Sequence, residues 1–133
     1  MEIIKKYPVL DATDIEAEST FWAAVLGGTV ERGMVNHEEV DWHTVVVDGR
    51  EELGIQWSPT HQAPQWPSGD QQQQIHLDLY VERDALEAAH KEVVQLGATL
   101  LQTAEDLDSP MGFQVYADPA GHPFCLCWAE PQA

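Results

Sequence analysis

The sequence predicts an α+β protein of 133 residues, built from two tandem β-α-β-β-β modules. The first observation is an internal repeat: Leu26-Gly27-Gly28-Thr29-Val30 returns 70 residues later as Leu96-Gly97-Ala98-Thr99-Leu100. The second is that each copy closes a helical stretch that opens at an aspartate, Asp14 or Asp84, after an apolar strand-like run. A repeat of this length is too long for one solenoid unit and about right for half a small domain.

The elements of module 1 follow from local patterns. The segment from Ile3 to Asp11 is strand-like, although Pro8 indicates an edge or a break in the hydrogen-bond ladder. Thr13 to Glu16 has capping-box spacing and opens a helix that ends at Gly27, where a left-handed cap is expected. Three further strands are predicted over residues 29–32, 42–47 and 53–57.

Module 2 begins with a strictly alternating segment, Ile75 to Val81, in which His76, Asp78 and Tyr80 share one face. Asp84 to Glu87 repeats the capping-box-like start of a helix that ends at Gly97. The remaining strands are predicted over residues 99–102, 112–116 and 124–128.

The whole chain, residues 1–133, is expected to form a single domain. Module 1 covers about residues 3–57 and module 2 about residues 74–130, and the Pro- and Gln-rich segment 58–73 is the linker. One helix covers one face of each sheet, so the other face is left to line a groove. Two such sheets side by side would form a half-open barrel around a shared cavity.

Charge and cysteine content restrict the partners. The formal net charge of −17, with only six scattered Lys and Arg, argues against nucleic-acid and anionic-membrane partners. The charge is explained either by solubility or a salt-rich habitat, or by an acidic cleft that attracts a cationic ligand. Cys125 and Cys127 lie two apart on one strand, where bridging geometry is poor. Without a recognisable signal peptide or bilayer-spanning run, we expect a cytoplasmic protein with reduced thiols.

Histidine and tryptophan supply the candidate site residues. Beside Asp78 and Tyr80, His76 is either a site residue or a hydrogen-bonded histidine of a polar core layer. His43 alternates with two valines on a strand that we expect to face the cavity, and packing is the alternative there. Trp66, in a Pro-rich loop, needs cover from the cavity mouth or from a second subunit. The other histidines match no ligand spacing and receive no role: His37, His61, His90 and His122.

Taken together, these features resemble the vicinal oxygen chelate superfamily, the group of glyoxalase, bleomycin-resistance and dioxygenase-like proteins. The resemblance covers about residues 5–128. It rests on Phe21-Trp22 followed by Leu26-Gly27-Gly28, on the strand 76–81, on the ending Leu96-Gly97-Ala98, and on the turn from Asp118 to Phe124. The resemblance implies the glyoxalase-like fold and a homodimer.

In many metal-dependent members, four ligands come from the first and last strands of the two modules. Carried over by position, the first-strand sites are Tyr7 and His76, and the last-strand sites are Gln56 and Cys125, or Cys127 in an alternative register. A divalent metal (Zn, Ni, Mn or Fe) would then be held by His76, Gln56 and Cys125, with Tyr7 or Tyr80 as the catalytic acid. In metal-dependent members, two carboxylate ligands usually balance the charge of the divalent ion, and none of these positions carries a carboxylate. We therefore expect the full family metal site to be absent.

Two functions therefore stay open. The first is sequestration of an aromatic or cationic small molecule, without the full metal site, as in the antibiotic-binding members that the chain resembles. The cavity residues expected for it are Tyr7, His43, Gln56, His76, Asp78, Tyr80 and Cys125. The second is a metal-dependent lyase, isomerase or ring-cleaving dioxygenase with an altered ligand set. A purely structural or partner-binding module is the weakest alternative, because inward-pointing polar groups are costly in an inert domain.

Overall fold

The computed structural model describes residues 1–35 and 38–129, so His37 and Glu130 lie outside the described residues. The chain divides into two compact units, Met1–Gln62 and Ala63–Ala133. Each unit contains one β-α-β-β-β module with its own four-stranded sheet. The division falls inside the segment 58–73 that the sequence indicates as a linker.

Unit 1 has its sheet in the order β1-β4-β3-β2. Its elements are β1 Val9–Ala12, α1 Ile15–Leu26, β2 Thr29–Val35, β3 Glu38–Val47 and β4 Arg50–Trp57. The first strand is shorter than expected: it begins at Val9, not at Ile3. Pro8 has no N–H to donate to a ladder, although its carbonyl accepts a hydrogen bond from Gly54.

The ends of α1 match the sequence pattern closely. Asp14, rather than Thr13, is the N-cap, and its Oδ1 accepts a hydrogen bond from the Ala17 N–H at 3.0 Å. At the other end Gly27 adopts a φ of 71°, the left-handed conformation that glycine adopts without steric cost. The helix is thus closed at both ends before β2 begins.

Unit 2 repeats this order, and its sheet runs β5-β8-β7-β6. Its elements are β5 Leu77–Tyr80, α2 Leu86–Leu96, β6 Thr99–Gln102, β7 Met111–Ala117 and β8 Pro123–Ala129. The expected helix start at Asp84 is wrong. Asp84 lies within a short 3-10 helix, Arg83–Ala85, and α2 begins after Ala85 without a side-chain cap.

In each unit the helix covers one face of the sheet. Trp22 of α1 is buried in unit 1, together with Leu53 and Ile55 of β4. In unit 2 the equivalent layer contains Phe124 and Leu126 of β8. The described helices lack the combined length and apolarity that crossing a bilayer requires. The α+β class and the two tandem modules are therefore confirmed, and both sheets are open at their edges.

A substitution at Gly112 tests how tightly the backbone of β7 packs against Trp128 of β8. Gly112 pairs with Trp128, and a Cβ built at Gly112 would lie 2.5 Å from two indole carbons of Trp128. We expect Gly112→Ala to lower the free energy of unfolding by about 1–3 kcal/mol, because Trp128 is buried and must move. Chemical denaturation of the purified variant measures this change.

The matched control is Gly33→Ala, in β2 of unit 1. Gly33 also pairs with a tryptophan, Trp42, but its nearest neighbouring atom would lie at 3.6 Å, an ordinary contact. This variant should be neutral or stabilise the protein by up to about 1 kcal/mol. Equal destabilisation by the two substitutions would contradict the packing explanation.

Candidate functional site

A cavity of about 590 Å³ lies entirely within unit 2. It opens on the sheet face opposite α2. In β7 the Tyr116 hydroxyl forms a hydrogen bond with the His90 ring of α2, whereas the residue before it, Val115, points the other way and lines the cavity. The polar lining residues are Gln73, His76, Asp78 and Tyr80, and the aromatic ones include Trp66, Phe113 and Trp128.

The pairing of the first and last strands of unit 2 brings the polar groups to this face. β5 and β8 are parallel neighbours, with Asp78 beside Cys125 and Tyr80 beside Cys127. Side chains alternate along a strand, so these four residues point to the same side of the sheet. His76, Asp78 and Tyr80, which the alternation predicts on one face of the strand, all line the cavity.

His76, Asp78 and Cys125 converge at the cavity. The Nε2 atom of His76 lies 3.1 Å from Oδ1 of Asp78, and the donor atoms of the three residues all lie within 4.8 Å of one another. Both thiols interact with the Asp78 carboxylate. Burial raises the pKa of Cys125 to about 12, and the Asp78 charge adds to this effect. The same two causes raise the pKa of Cys127 to about 11, so both thiols are protonated at neutral pH.

Trp66 covers the two cysteines. Its partly buried ring packs against the cluster of Val115, Cys125 and Cys127 and lines the cavity. The Trp66 ring is thus covered in part by the wall of the unit 2 cavity. Cover by a second subunit stays a prediction. Sequence reasoning missed Phe113 and Val115 as cavity residues, although their alternation with Gln114 and Tyr116 along β7 was the available signal.

The last-strand register has two answers. Gln56 pairs with Asp11, and Cys127 pairs with Tyr80. If His76 is the counterpart of Tyr7, as the resemblance implies, Tyr80 is the counterpart of Asp11, and Cys127 is then the counterpart of Gln56. Cys125 is nevertheless the cysteine whose sulfur lies with the His76 and Asp78 donor atoms.

Tyr7 and Gln56 belong to unit 1. The Tyr7 ring lies 6.4 Å from the Trp42 ring, centroid to centroid, and the Lys5 ammonium lies over the Tyr7 ring. The Gln56 side chain is exposed. The roles of Tyr7 and Gln56 in a ligand site, and of Tyr80 as a catalytic acid, stay predictions.

The side chain of His43 does not point to the open face of the sheet, contrary to the prediction from its alternation with valines. It is fully buried on the helix-covered face, and its Nδ1 lies 2.7 Å from Oγ of Ser19 in α1. Alternation along a strand separates two faces but does not say which one a helix will cover. His43 is therefore placed as a polar group of the core of unit 1.

The donors gathered in unit 2 do not suit Mn²⁺, one of the metals that the resemblance implies. They are one imidazole, one carboxylate and the Cys125 sulfur, whereas Mn²⁺ prefers several oxygen ligands. These residues therefore give no basis for a catalytic step through a hard cation such as Mn²⁺.

Comparison with known proteins gives a match to one family model and to solved structures of the same fold. The family model described as a glyoxalase-like domain matches residues 8–127. Curated proteins give no match. A solved glyoxalase/bleomycin resistance/dioxygenase family enzyme from Burkholderia phytofirmans is 17% identical. The alignment covers 93% of this chain and 97% of that one, with a TM-score of 0.67.

The fosfomycin resistance protein FosX from Listeria monocytogenes is also similar. Its tetragonal crystal form is 10% identical over 100% of this chain and 96% of that one, with a TM-score of 0.70. Its complex with Mn(II) and sulfate ion is 11% identical over 98% and 95% of the two chains, with a TM-score of 0.65. At these identities the similarity shows the fold.

The burial of His43 predicts a pH-dependent stability. Burial lowers the pKa of His43; Arg32 acts in the same direction, and Glu16, whose Oε2 lies 3.9 Å from Nδ1, opposes it. The unfolded chain therefore takes up the His43 proton first as the pH falls below about 6.5. We expect the free energy of unfolding to decrease on acidification, with a contribution from this residue of at most about 1.4 kcal/mol per pH unit.

Urea denaturation between about pH 5 and pH 8 measures this slope. His43→Gln keeps a polar side chain facing Ser19 and removes the titration, so the variant should show a shallower slope. Each protein is compared with its own stability at the high-pH end, which cancels the cost of imperfect packing. Parallel slopes for the two proteins would refute the assignment.

Proposed function

Because the chain belongs to the glyoxalase-like domain family, we propose that it binds a small planar aromatic cation in the unit 2 cavity and sequesters it. The observation that carries the proposal is the combination of aromatic walls with one carboxylate at the same cavity. Trp66 and Phe113 offer faces on which a planar molecule can stack, and Asp78 offers a negative charge. We also propose a cytoplasmic location, in which the two thiols stay reduced.

The size and polarity of the cavity support a small-molecule ligand. Its volume of about 590 Å³ lies within the usual range for ligand pockets. Mainly apolar walls with a few convergent polar groups are the usual composition of such pockets. Met111 is 67% exposed and Phe113 is 49% exposed. Apolar surface at the cavity is therefore available for burial by a ligand.

The charge of the cavity supports a cation over an anion. None of the described residues that line it is a lysine or an arginine. Asp78 is 44% exposed at its side chain, so it can pair with an incoming charge as well as with His76. The net charge of −17 favours the approach of cations over a longer range. Aromatic faces bind cations through the ring quadrupole, which adds to the same preference.

The first test uses N-methylquinolinium as a planar aromatic cation and naphthoate as an anion of similar size. Isothermal titration calorimetry on chelator-treated protein should show binding of the cation and none of the anion. Trp66→Ala should weaken cation binding roughly tenfold, because one stacking face is lost. Asp78→Asn should weaken it about fivefold, the value of a partly exposed charge pair.

Trp57→Ala is the matched control for Trp66→Ala. Trp57 is 43% exposed at the end of β4 and does not line this cavity. Its replacement should leave the affinity for N-methylquinolinium unchanged. Equal affinity for the cation and the anion, or equal losses in the two tryptophan variants, would overturn the proposal.

The alternative, a metal-dependent enzyme of the family with an altered ligand set, makes a different prediction. Such an enzyme would retain a divalent metal after separate incubations with Zn²⁺, Ni²⁺, Mn²⁺ and Fe²⁺ and thorough desalting. Since the unit 2 donors suit Mn²⁺ poorly, we expect mass spectrometry of the desalted protein to find no bound manganese. Retention of about one metal ion per chain, lost in His76→Ala, would favour the enzyme and refute metal-free sequestration.

A further inference from the structure

We infer that a second cavity of unit 2 binds a small uncharged molecule that carries a carbonyl group on an apolar body. This helix-side cavity has a volume of about 430 Å³, and the residues that line it include His90, Thr103 and Gln114. Gln114 lies two residues before Tyr116 on β7, so it shares the sheet face that α2 covers. The described residues that line the two cavities are different. The inference does not depend on the proposed sequestration function.

The helix α2 fills the layer between helix and sheet less completely than α1 does. In unit 1, α1 buries two large aromatic side chains, Phe21 and Trp22. The residues 70 positions later in the repeat are Lys91 and Glu92, and both are exposed. The volume that the two aromatic rings contribute in unit 1 is therefore missing from the equivalent layer of unit 2.

A chain of hydrogen bonds runs from the loop before β7 to the wall of the helix-side cavity. The backbone N–H of Ala104 donates to Oε1 of Gln114 at 3.1 Å, which fixes the orientation of the Gln114 amide. Nε2 of Gln114 then donates to the Tyr116 hydroxyl oxygen at 2.9 Å. Tyr116 is fully buried, and Nδ1 of His90 lies 2.7 Å from its oxygen, so the hydroxyl donates to Nδ1.

The last member of this chain offers a hydrogen-bond donor to the cavity. Because Nδ1 of His90 accepts a hydrogen bond, the proton of the neutral ring is on Nε2. The ring lines the cavity, and among the described residues Nε2 has no hydrogen-bond partner. The hydroxyl of Thr103 is a second donor at the same cavity. A carbonyl oxygen accepts up to two hydrogen bonds and donates none, so it suits these two donors.

The charged residues of the wall favour an uncharged ligand. Arg83 pairs with Asp108 at 3.5 Å. Glu87 pairs with Lys91 at 3.0 Å. Since Arg83 lines the cavity together with Asp84 and Glu87, an ion of either sign would meet a like charge there.

Leucine side chains supply the apolar part of the helix-side cavity. Leu86 is buried, whereas Leu100 is 36% exposed and Leu107 is 52% exposed. A ligand with an apolar body would cover this exposed leucine surface, which is favourable in water. The volume of the cavity lies within the usual range for small-molecule pockets.

The first measurement is the tautomer of His90, by long-range ¹H–¹⁵N spectra of protein labelled in its histidine rings. On the alkaline side of neutrality we expect the Nε2–H form. Cyclohexanone, the carbonyl probe, should then shift the His90 ring signals in a saturable way. N-methylquinolinium should leave these signals unchanged, because the proposed site for that cation is on the other face of the sheet.

Variants test the two donors. His90→Phe keeps an aromatic ring at the wall and removes the donor, so cyclohexanone affinity should fall about fivefold, the value of one hydrogen bond. Methylenecyclohexane has nearly the same shape and no acceptor, so its affinity should change by less than about twofold. Thr103→Val should weaken cyclohexanone binding about threefold, and it alters an exposed loop residue. Thermal melting checks that His90→Phe is folded.

His122→Asn is the matched control. His122 belongs to unit 2 but does not line the helix-side cavity, so its replacement should leave the cyclohexanone affinity unchanged. An Nδ1–H tautomer at His90, or His90 signals that cyclohexanone does not shift, would overturn the inference. Equal losses for cyclohexanone and methylenecyclohexane in folded His90→Phe would do the same. None of these results changes the affinity of the other cavity for N-methylquinolinium, so the two proposals fail separately.

Discussion

The parallel pairing of β5 with β8 is the constraint on which the candidate site depends. Because the first and last strands of the unit are neighbours, residues about 47 apart in sequence come to lie side by side, as Asp78 and Cys125 do. The helix between β5 and β6 covers one face of the sheet, which leaves the other face to hold polar and sulfur groups. Unit 1 pairs β1 with β4 in the same parallel manner, so the two copies share one backbone arrangement and differ in the side chains that they display.

That difference decides what chemistry each copy can offer. On the open face of unit 2 a carboxylate stands between a half-exposed imidazole and two buried thiols. In unit 1, Gly54 occupies the position beside Val9 where unit 2 has Cys125 beside Asp78. A Cβ at Gly54 would lie 2.7 Å from the Trp42 ring and 2.9 Å from the Tyr7 ring. Unit 1 therefore uses this position for aromatic packing, and unit 2 uses it for a polar cluster.

The sequence predicted the order and the type of the elements because those depend on local patterns: the repeated Leu-Gly endings, the aspartate before α1 and the alternation in β5. It placed the start of β1 too early, at Ile3 and not at Val9. Pro8 has no N–H to donate, and the effect of this missing donor on the hydrogen-bond ladder depends on the partner strand, which the local pattern does not show. The sequence also misplaced the start of α2, because 3-10 turns are frequent at the N-termini of α-helices and the pattern does not separate the two.

The site was harder to predict than the fold. His76, Asp78 and Tyr80 were found because they share a face within one strand. His43 was assigned to the wrong face, since only the contact with Ser19 of α1 shows which side the helix covers. The packing of Trp66 on two cysteines about 60 residues away has no local signature at all.

The position of Trp66 affects how such a protein can change its selectivity. Trp66 belongs to an irregular segment that precedes β5, and none of the described sheet pairings of unit 2 involves it. Loops tolerate substitution and insertion better than the strands that they join. A lineage could therefore reshape one wall of the cavity through this segment while the polar strand beneath it stayed unaltered. Divergence among close relatives should then be concentrated in the segment before β5, and the ligand range should vary with it.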